Sequence, residues 1–338
     1  MHTDQLDADA FERGIAAAVA AGEGVWGTTS PNPPVGCAIV GSNGGLVAVG
    51  ATSSAGGPHA EINALAAAGS RAVGATAVVT LEPCNHTGRT GPCAQALVDA
   101  RVAEVVYLTE DPNAQAAGGA ETLRRHGVAV FFAPRNVVAL GAWLASIRMQ
   151  RPAVTWKYAA TLDGFTAAVD GTSKWITGEK AREHVHRDRA RRDAILVGTG
   201  TARIDDPQLT ARQPNGELYE HQPRRVVIGD SDIGPGNLQR LGYEQYADPE
   251  VALRALWDSG ARDVLVEGGA TLAHGFLSAG LVDRIQAYVA PAVLGSGRGV
   301  LDGALAATIA DARRFQVTSV AQIGDDVLIE MHRKIVEE

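Results

Sequence analysis

The sequence predicts an α/β protein built from two domains. At 338 residues the chain is longer than one average domain, because about 100–200 residues per domain is usual. Along both halves, apolar runs of strand length alternate with segments of helical spacing, which is typical of sheets covered by helices. At Arg151-Pro152 a helical pattern gives way to a strand, since proline disfavours helical continuation. We therefore expect domains at 1–149 and 150–338.

The first half begins with a predicted helix at 7–21, where apolar residues recur at helical spacing and which Gly22 and Gly24 are expected to end. A glycine-rich turn then separates two strands of a hairpin. The predicted strands are 35–40, 46–51, 75–80, 104–108 and 128–132. The predicted later helices are 60–68, 93–100, 120–125 and 137–149.

The second half repeats the alternation and predicts a second α/β domain. Its predicted strands are 154–160, 194–197, 225–228, 264–267 and 285–290. Its predicted helices are 179–191, 249–259 and 271–279. The stretches 213–222 and 230–242 carry the composition of surface loops.

Composition and charge exclude several classes of protein. A net charge of −8 and a pI near 5.6 give no overall attraction to nucleic acid or to an anionic membrane. The N-terminus is acidic and lacks the layout of a signal peptide, and no apolar run approaches the roughly 20 residues of a membrane span. The 3 cysteines are too few for a disulfide framework and favour a reducing cytoplasm.

Three residues of the first half have the spacing of a catalytic zinc site. His59 precedes a predicted helix, Cys84 follows a predicted strand, and Cys93 opens another helix. One imidazole and two thiolates suit zinc, and three protein ligands leave a fourth position for water, as in catalytic rather than structural sites. At a helix N-terminus the dipole also favours a Cys93 thiolate.

Glu61 lies two residues from His59 and would stand beside the metal-bound water. There it could take a proton from that water and deliver it to a departing amino group, as in zinc deaminases. His-x-Glu alone is a weak signal, because most occurrences are helix starts with an acidic first turn. Joined to two Pro-Cys elements in this order, it predicts a deaminase site.

The loop between the two cysteines departs from the common Pro-Cys-x-x-Cys spacing, since eight residues separate Cys84 from Cys93. Its hydroxyls, histidine, arginine and glycines could wrap a phosphate or a sugar, or could form only a flexible zinc loop. Two further motifs accompany this loop: the His-Ala-Glu helix and the segment 30–37 (Ser-Pro-Asn-Pro-Pro-Val-Gly-Cys). With these three features the chain resembles the bifunctional riboflavin-biosynthesis deaminase/reductase family over nearly its whole length.

This resemblance implies a cytidine-deaminase-like three-layer α/β/α domain in the first half. It implies that Asn32 contacts the pyrimidine, and that the ribose phosphate is bound by His86, Thr87 and Arg89. His86 is also a competing metal ligand, although His59 already completes the expected three. Cys37 lies in an apolar strand and is most simply a small buried hydrophobe.

In the second half, the residues alone leave the site undecided. Thr177-Gly178 could cap a helix whose free N–H groups bind an anion, which is also ordinary for any helix start. The segments 197–201 and 267–272 each contain glycines at the end of a predicted strand. Neither matches a G-x-G-x-x-G element, so ordinary turns explain them as well as a cofactor site does.

The runs 173–177, 193–198, 205–207 and 266–269 look like the reductase domain of the same family, which implies a dihydrofolate-reductase-like fold and NADPH. The NADPH-binding residues it implies are Ala159, Trp175, Thr201, Asp205, Gly269, Ala270, Thr271, Leu272, Ala273, His274 and Gly275. The substrate-binding residues it implies are Ser173, Arg189, Leu209, Arg212 and Glu267. Arginine can clamp a phosphate with two donors, whereas an exposed helical arginine is more often only solvated.

Reduction of a ribosyl group to ribityl needs a proton donor beside the nicotinamide. Lys157 and Asp205 are the candidates, although Lys157 could instead only hydrogen-bond the substrate. The family therefore implies a zinc-dependent deamination of a diaminopyrimidinone ribosyl phosphate, followed by NADPH-dependent reduction, in a cytoplasmic homo-oligomer (dimer or tetramer).

Two rival functions fit less well. A nucleic-acid deaminase would need a basic or aromatic strand-binding surface and leaves the second half unexplained. A nucleotide-sensing zinc protein would have a closed metal site, and Glu61 argues against it. We expect neither nucleic acid nor membrane as a partner.

Overall fold

A computed structural model describes residues 6–86 and 91–334 of the chain. The chain divides into two compact units, Met1–Gln150 and Arg151–Glu338. Each unit has its own mixed sheet with helices packed against it, so the predicted α/β class is confirmed. Among the described residues, every helix is too short or too polar to cross a membrane.

The first unit is built on a five-stranded sheet in the order β2-β1-β3-β4-β5. Strand β1 runs antiparallel to β2 and β3, and β3, β4 and β5 are parallel. The strands are β1 (Gly36–Val40), β2 (Leu46–Ala51), β3 (Thr76–Val79), β4 (Glu104–Tyr107) and β5 (Ala129–Phe132). The helices are α1 (Ala8–Gly24), α2 (Ala60–Ala68), α3 (Cys93–Asp99), α4 (Gly119–Arg125) and α5 (Gly141–Met149), with 3₁₀ turns at Gly69–Ala72 and Val138–Leu140.

Helices α1 and α2 cover opposite faces of this sheet. Gly36 contacts α1 so closely that a Cβ would overlap the carbonyl oxygen of Ala18. Gly50 lies equally close to the α2 backbone at Ala60 and Ala64. Because Gly50 pairs with Cys37, the strand neighbour of Gly36, the two contacts lie on opposite faces. The helices and the sheet between them form three layers.

Helix α1 continues beyond the expected end at Gly22 and stops after Gly24. Gly22 is buried against the backbone of Pro34 and Gly36, so it permits close packing of the helix instead of ending it. Asp7 begins the helix, because its side chain accepts a hydrogen bond from the Ala10 N–H at 2.7 Å.

The second unit contains an eight-stranded sheet in the order β10-β9-β8-β11-β6-β12-β15-β14. The six strands from β10 to β12 are parallel, and β15 and β14 add antiparallel at one end. Its strands are β6 (Ala153–Thr161), β8 (Ala194–Gly198), β9 (Arg224–Ile228), β10 (Glu244–Tyr246), β11 (Asp263–Val266), β12 (Arg284–Ala290), β14 (Phe315–Ile323) and β15 (Asp326–Arg333), while β7 (Phe165–Ala167) and β13 (Arg298–Gly299) form a separate pair. The helices are α6 (Glu179–Arg189), α7 (Thr199–Asp205), α8 (Asn237–Leu241), α9 (Pro249–Asp258) and α10 (Ala270–Ser278), with a 3₁₀ turn at Ile309–Asp311.

Alternate residues of this sheet face two separate cores. On one face, Leu196 and Val266 pack with apolar residues of α9 and α10. On the other face, Ile195 and Leu265 pack with Leu238 of α8, and Tyr288 packs with α6. This period of two is the one expected for a sheet covered on both sides.

The stretch 230–242, expected to be a surface loop, contains the short helix α8. Leu238 explains this difference, because it is 1% exposed and fixes the helix to the sheet. The short elements β7, β10, β13 and α7 and the C-terminal strands β14 and β15 were also not predicted from the sequence.

Candidate active sites

Three predicted metal ligands of the first unit form a cluster in the structure. The ligand atoms of His59, Cys84 and Cys93 all lie within 4.8 Å of one another. Nδ1 of His59 is 3.6 Å from Sγ of Cys84 and 3.3 Å from Sγ of Cys93. The imidazole thus presents Nδ1, and not Nε2, to the two sulfur atoms.

These separations fit a tetrahedral zinc ion. Zinc bonds of about 2.0–2.1 Å to nitrogen and about 2.3 Å to sulfur place neighbouring ligand atoms roughly 3.5–3.8 Å apart. The observed 3.3 and 3.6 Å are close to these values without rearrangement. One nitrogen and two sulfur donors are also the set expected for a catalytic zinc with one position open.

The electrostatics of the cluster favour a cation. A hydrogen bond from the Cys93 thiol lowers the pKa of Cys84 to about 4, whereas the same hydrogen bond and burial raise the pKa of Cys93. Burial raises the pKa of Glu61, which is 4% exposed, to about 7. A carboxyl group with a pKa near neutrality can both accept and release a proton at physiological pH.

Local structure places each of these side chains. His59 is the residue immediately before α2, and Glu61 lies in the first turn of that helix. Cys93 is the first residue of α3, and Cys84 follows β3 in a segment without regular secondary structure. The close approach at Gly50 holds α2 against the sheet and brings His59 to the cysteines.

The other predicted residues of the first site are less constrained. Asn32 is half-buried in a turn closed by hydrogen bonds with Thr29, and His86 is exposed. Thr87 and Arg89 lie outside the described residues. Cys37 is fully buried in β1 within the apolar core, apart from the metal cluster, as expected.

The second unit has a cavity of about 630 Å³, a size typical of small-molecule sites. It lies over β6 and β12 and is bordered by α6 and the loop that follows Arg212. Six of the predicted residues line it: Lys157, Ala159, Ser173, Trp175, Arg189 and Arg212.

Glu267 links two of these cavity residues. Its carboxylate lies 3.0 Å from Nζ of Lys157 and accepts two hydrogen bonds from Arg189, at 2.7 and 2.8 Å. The Glu267 side chain is 6% exposed, so the ion pairs are shielded from water. Burial alone would raise the pKa of Glu267, but the charges of Arg189 and Lys157 hold it well below its usual range.

Arg212 differs from Arg189 because its donors reach uncharged partners. It donates to Oγ1 of Thr210, to the Gly216 carbonyl oxygen and to Oε1 of Gln208. These contacts fix the guanidinium at the cavity without neutralising its charge. Arg212 is therefore better placed than Arg189 to attract a phosphate.

The predicted NADPH residues of 269–275 lie at the start of α10, and Thr201 lies beside them. The Gly269 N–H donates to Oγ1 of Thr201 at 3.2 Å. Within the described part of the chain, no side chain caps the first turn of α10, so its N–H groups are available to an anion. Thr271 donates to Asp302 at 2.9 Å, and a Cβ on Gly303 would lie 3.2 Å from the His274 ring.

Two predicted residues of the second site, Asp205 and Leu209, are not among the residues that line the cavity. Asp205 is exposed at the end of α7. Leu209 is 3% exposed and packs in the core with Ile195 and Val197, although its φ of +49° gives the backbone there an unusual direction.

Arg182, His186 and Tyr288 are among the cavity-lining residues that sequence reasoning missed. Arg182 and His186 precede Arg189 by seven and three positions on α6, so helical spacing from Arg189 could have identified them. Arg182 also stacks on the Trp175 ring, with its guanidinium carbon 4.4 Å from the ring centroid.

Comparison with known families finds a match in each unit. Residues 12–109 match the cytidine and deoxycytidylate deaminase zinc-binding region, and residues 152–329 match the RibD C-terminal domain. The first match contains the His59, Cys84 and Cys93 cluster.

Known relatives and solved structures match the chain over nearly its whole length. The chain is 55% identical over 314 residues to the riboflavin biosynthesis protein RibD of Corynebacterium ammoniagenes, covering 90% of this chain and 93% of the relative. It is 37% identical to RibD of Escherichia coli, covering 90% and 94%. Among solved structures, Acinetobacter baumannii RibD superposes with a TM-score of 0.86 at 35% identity, covering 97% of this chain and 100% of the other. A Thermotoga maritima deaminase/reductase gives a TM-score of 0.83 at 31% identity, covering 96% and 99%.

Proposed function

Because this chain belongs to the RibD family of bifunctional deaminase/reductases of riboflavin biosynthesis, we propose how its own residues carry out the two reactions. The first unit removes the amino group of a diaminopyrimidinone ribosyl phosphate by zinc-dependent hydrolysis. The second unit reduces the ribosyl group of the resulting aminouracil to ribityl with NADPH.

In the deaminase unit, zinc held by His59, Cys84 and Cys93 would lower the pKa of a water molecule from about 15.7 towards 7. Glu61 takes a proton from the attacking water and passes it to the leaving amino group. Its burial and its place two residues after His59, in the first turn of α2, support both roles. Asn32 orients the pyrimidine, and the loop with His86, Thr87 and Arg89 binds the ribose phosphate.

In the reductase unit, NADPH would supply the hydride, and it is held by Ala159, Trp175, Thr201, Asp205 and the start of α10 from Gly269. Ser173 and Arg212 position the substrate, with Arg212 on its phosphate. Glu267, which accepts two hydrogen bonds from Arg189, pairs with Lys157 and holds it at the cavity. The Lys157 ammonium group hydrogen-bonds the ribosyl oxygen and can donate the proton that the reduction requires.

One observation carries this assignment. The ligand atoms of His59, Cys84 and Cys93 lie at nearly the distances that a tetrahedral zinc ion requires, beside the buried Glu61. Changing Glu61 to Gln tests it. The variant should retain zinc, because no ligand is lost, and deaminase turnover should fall by about 100-fold to 10,000-fold. Deamination at the wild-type rate by zinc-loaded Glu61→Gln protein would contradict the role of Glu61.

We also propose that the enzyme is a cytoplasmic homo-oligomer, a dimer or a tetramer, in which strand β14 meets a second copy. On one side β14 pairs with β15, and its other edge faces no strand among the described residues. Val317 and Val320 of β14 are 54% and 64% exposed. They pair across the strands with Met331 and Ile329 of β15, which pack on the core. An apolar face that continues to an open edge is typical of an interface. The free cysteines support a reducing compartment.

A further inference from the structure

The three zinc ligands differ in how their own backbone is held. His59 directly precedes α2 and Cys93 begins α3, so helix geometry restrains both. Cys84 lies in a segment without regular secondary structure, after β3 ends at Val79. A ligand on such a segment needs contacts from outside to keep its position before the metal binds.

Glu82 supplies one such contact through its side chain. Its Oε1 accepts hydrogen bonds from the backbone N–H groups of Gly118 and Ala120, at 3.2 and 3.1 Å. These groups belong to the first turn of α4, which has no capping side chain of its own. One carboxylate oxygen thus accepts hydrogen bonds from two backbone N–H groups at the start of α4 and links the Cys84 segment to that helix.

The backbone on both sides of Cys84 is held by the same region, residues 109–120. The Glu82 N–H donates to the Thr109 carbonyl oxygen at 2.8 Å, and the Asn85 N–H donates to that of Ala116 at 2.8 Å. Between them, the Pro83 carbonyl lies against Gly119 so closely that a Cβ on Gly119 would overlap its oxygen. Cys84 therefore lies between two backbone hydrogen bonds and beside one close contact.

We propose that Glu82 and Gly119 are positioning residues that place Sγ of Cys84 at zinc-binding distance from His59 and Cys93. This proposal rests on the proposed function, because it takes Cys84 as a zinc ligand. Neither residue touches the metal: Glu82 acts through its hydrogen bonds to α4, and Gly119 acts by leaving room for Pro83. Loss of outer contacts that orient a ligand typically lowers metal affinity about 10-fold to 100-fold.

Zinc affinity of the full-length protein, measured by competition with a chromophoric chelator, tests the proposal. We expect Glu82→Ala to weaken zinc binding by about 10-fold to 100-fold. Glu82→Gln should bind nearly as the wild type, because its amide oxygen can still accept from Gly118 and Ala120. The matched control is Glu121→Ala, which removes an acidic side chain 68% exposed in the first turn of the same helix and should leave the affinity unchanged.

Two further measurements separate positioning from general stability. In cobalt-substituted protein, Glu82→Ala should alter the visible bands that report tetrahedral sulfur coordination, while Glu82→Gln and Glu121→Ala retain them. Gly119→Ala, which leaves the carboxylate in place, should also weaken zinc binding. With the deaminated intermediate supplied, NADPH oxidation should remain unchanged in all four variants and reports that the second unit is folded.

The outcomes distinguish this proposal from the proposed function. Equal zinc affinity and cobalt spectra in the wild type, Glu82→Ala and Gly119→Ala would overturn the positioning role while leaving the zinc site intact. Wild-type protein that binds no zinc would instead contradict the proposed function, and the positioning role with it.

Discussion

Glu267 is 6% exposed and pairs with two cations, Lys157 and Arg189. Replacement by Gln would leave both charges without a counter-ion, and removing one member of a buried network costs about 3–5 kcal/mol. Urea unfolding should show a loss of this size in the free energy of unfolding, together with a loss of NADPH oxidation. Lys180→Met, which removes an exposed partner of Glu183, should change stability by less than about 1 kcal/mol. Equal stability of the two variants would contradict the importance of the Glu267 network.

The same network predicts a dependence of stability on acid pH. The pKa of Glu267 is lower in the folded protein than the value of about 4.3 expected in the unfolded chain. Its contribution to stability is therefore complete above about pH 4.3 and is lost as the pH falls through the folded pKa. Between about pH 5 and 3, unfolding free energy should fall more steeply for the wild type than for Glu267→Gln. Parallel curves would show that Glu267 titrates alike in both states.

At the residue scale, sequence reasoning predicted the cluster of His59, Cys84 and Cys93 but not the ion pairs of Glu267. The spacing of the cluster is informative because His59 and Cys93 lie at helix starts and donor chemistry restricts the metal. Glu267 meets Lys157 through the pairing of β11 with β6 and meets Arg189 at the end of α6, and no local pattern reveals these contacts.

At the scale of elements, the packing of α2 on β2 depends on Gly50. A Cβ at this position would overlap the α2 backbone at Ala60 and Ala64. Gly50→Ala should displace the helix that carries His59 and Glu61, and overpacking of this kind costs about 1–3 kcal/mol. We expect ammonia release to fall strongly, whereas NADPH oxidation, measured with the deaminated intermediate as substrate, should remain.

Gly24→Ala is the control, because nothing lies within 4 Å of a Cβ at that position. It should leave both activities unchanged. Wild-type deamination by Gly50→Ala would show that α2 tolerates a shift without loss of the zinc site geometry.

Elements such as α2 and β2 were predicted with the observed bounds, because each is a short apolar run that follows clear turn residues, Gly57-Pro58 before α2 and the glycine-rich stretch 41–45 before β2. Strand β14 was missed because its alternation of apolar and polar residues breaks at Thr318 and Ser319, where the pairing register with β15 shifts. Helix α8 was missed because five residues are too few to show a helical period.

At the scale of the whole molecule, the exposed face of β14 predicts how copies associate. Val320→Asp places a charge on the 64% exposed apolar position of this strand. Sedimentation should show an oligomer for the wild type and a smaller species for the variant. Val73→Asp, at a 58% exposed position of the first unit, should retain the wild-type mass. An unchanged mass for Val320→Asp would place the interface elsewhere.

The most direct test of two active sites in one chain is a coupled assay on purified, zinc-loaded protein. It supplies the diaminopyrimidinone ribosyl phosphate and NADPH and follows ammonia release and loss of nicotinamide absorbance together. We expect both signals from the wild type, with one NADPH oxidised for each ammonia released. Glu61→Gln should give neither signal, and adding the deaminated intermediate should restore NADPH oxidation alone. Ammonia release without NADPH oxidation, or neither signal from folded wild-type protein, would contradict the bifunctional assignment.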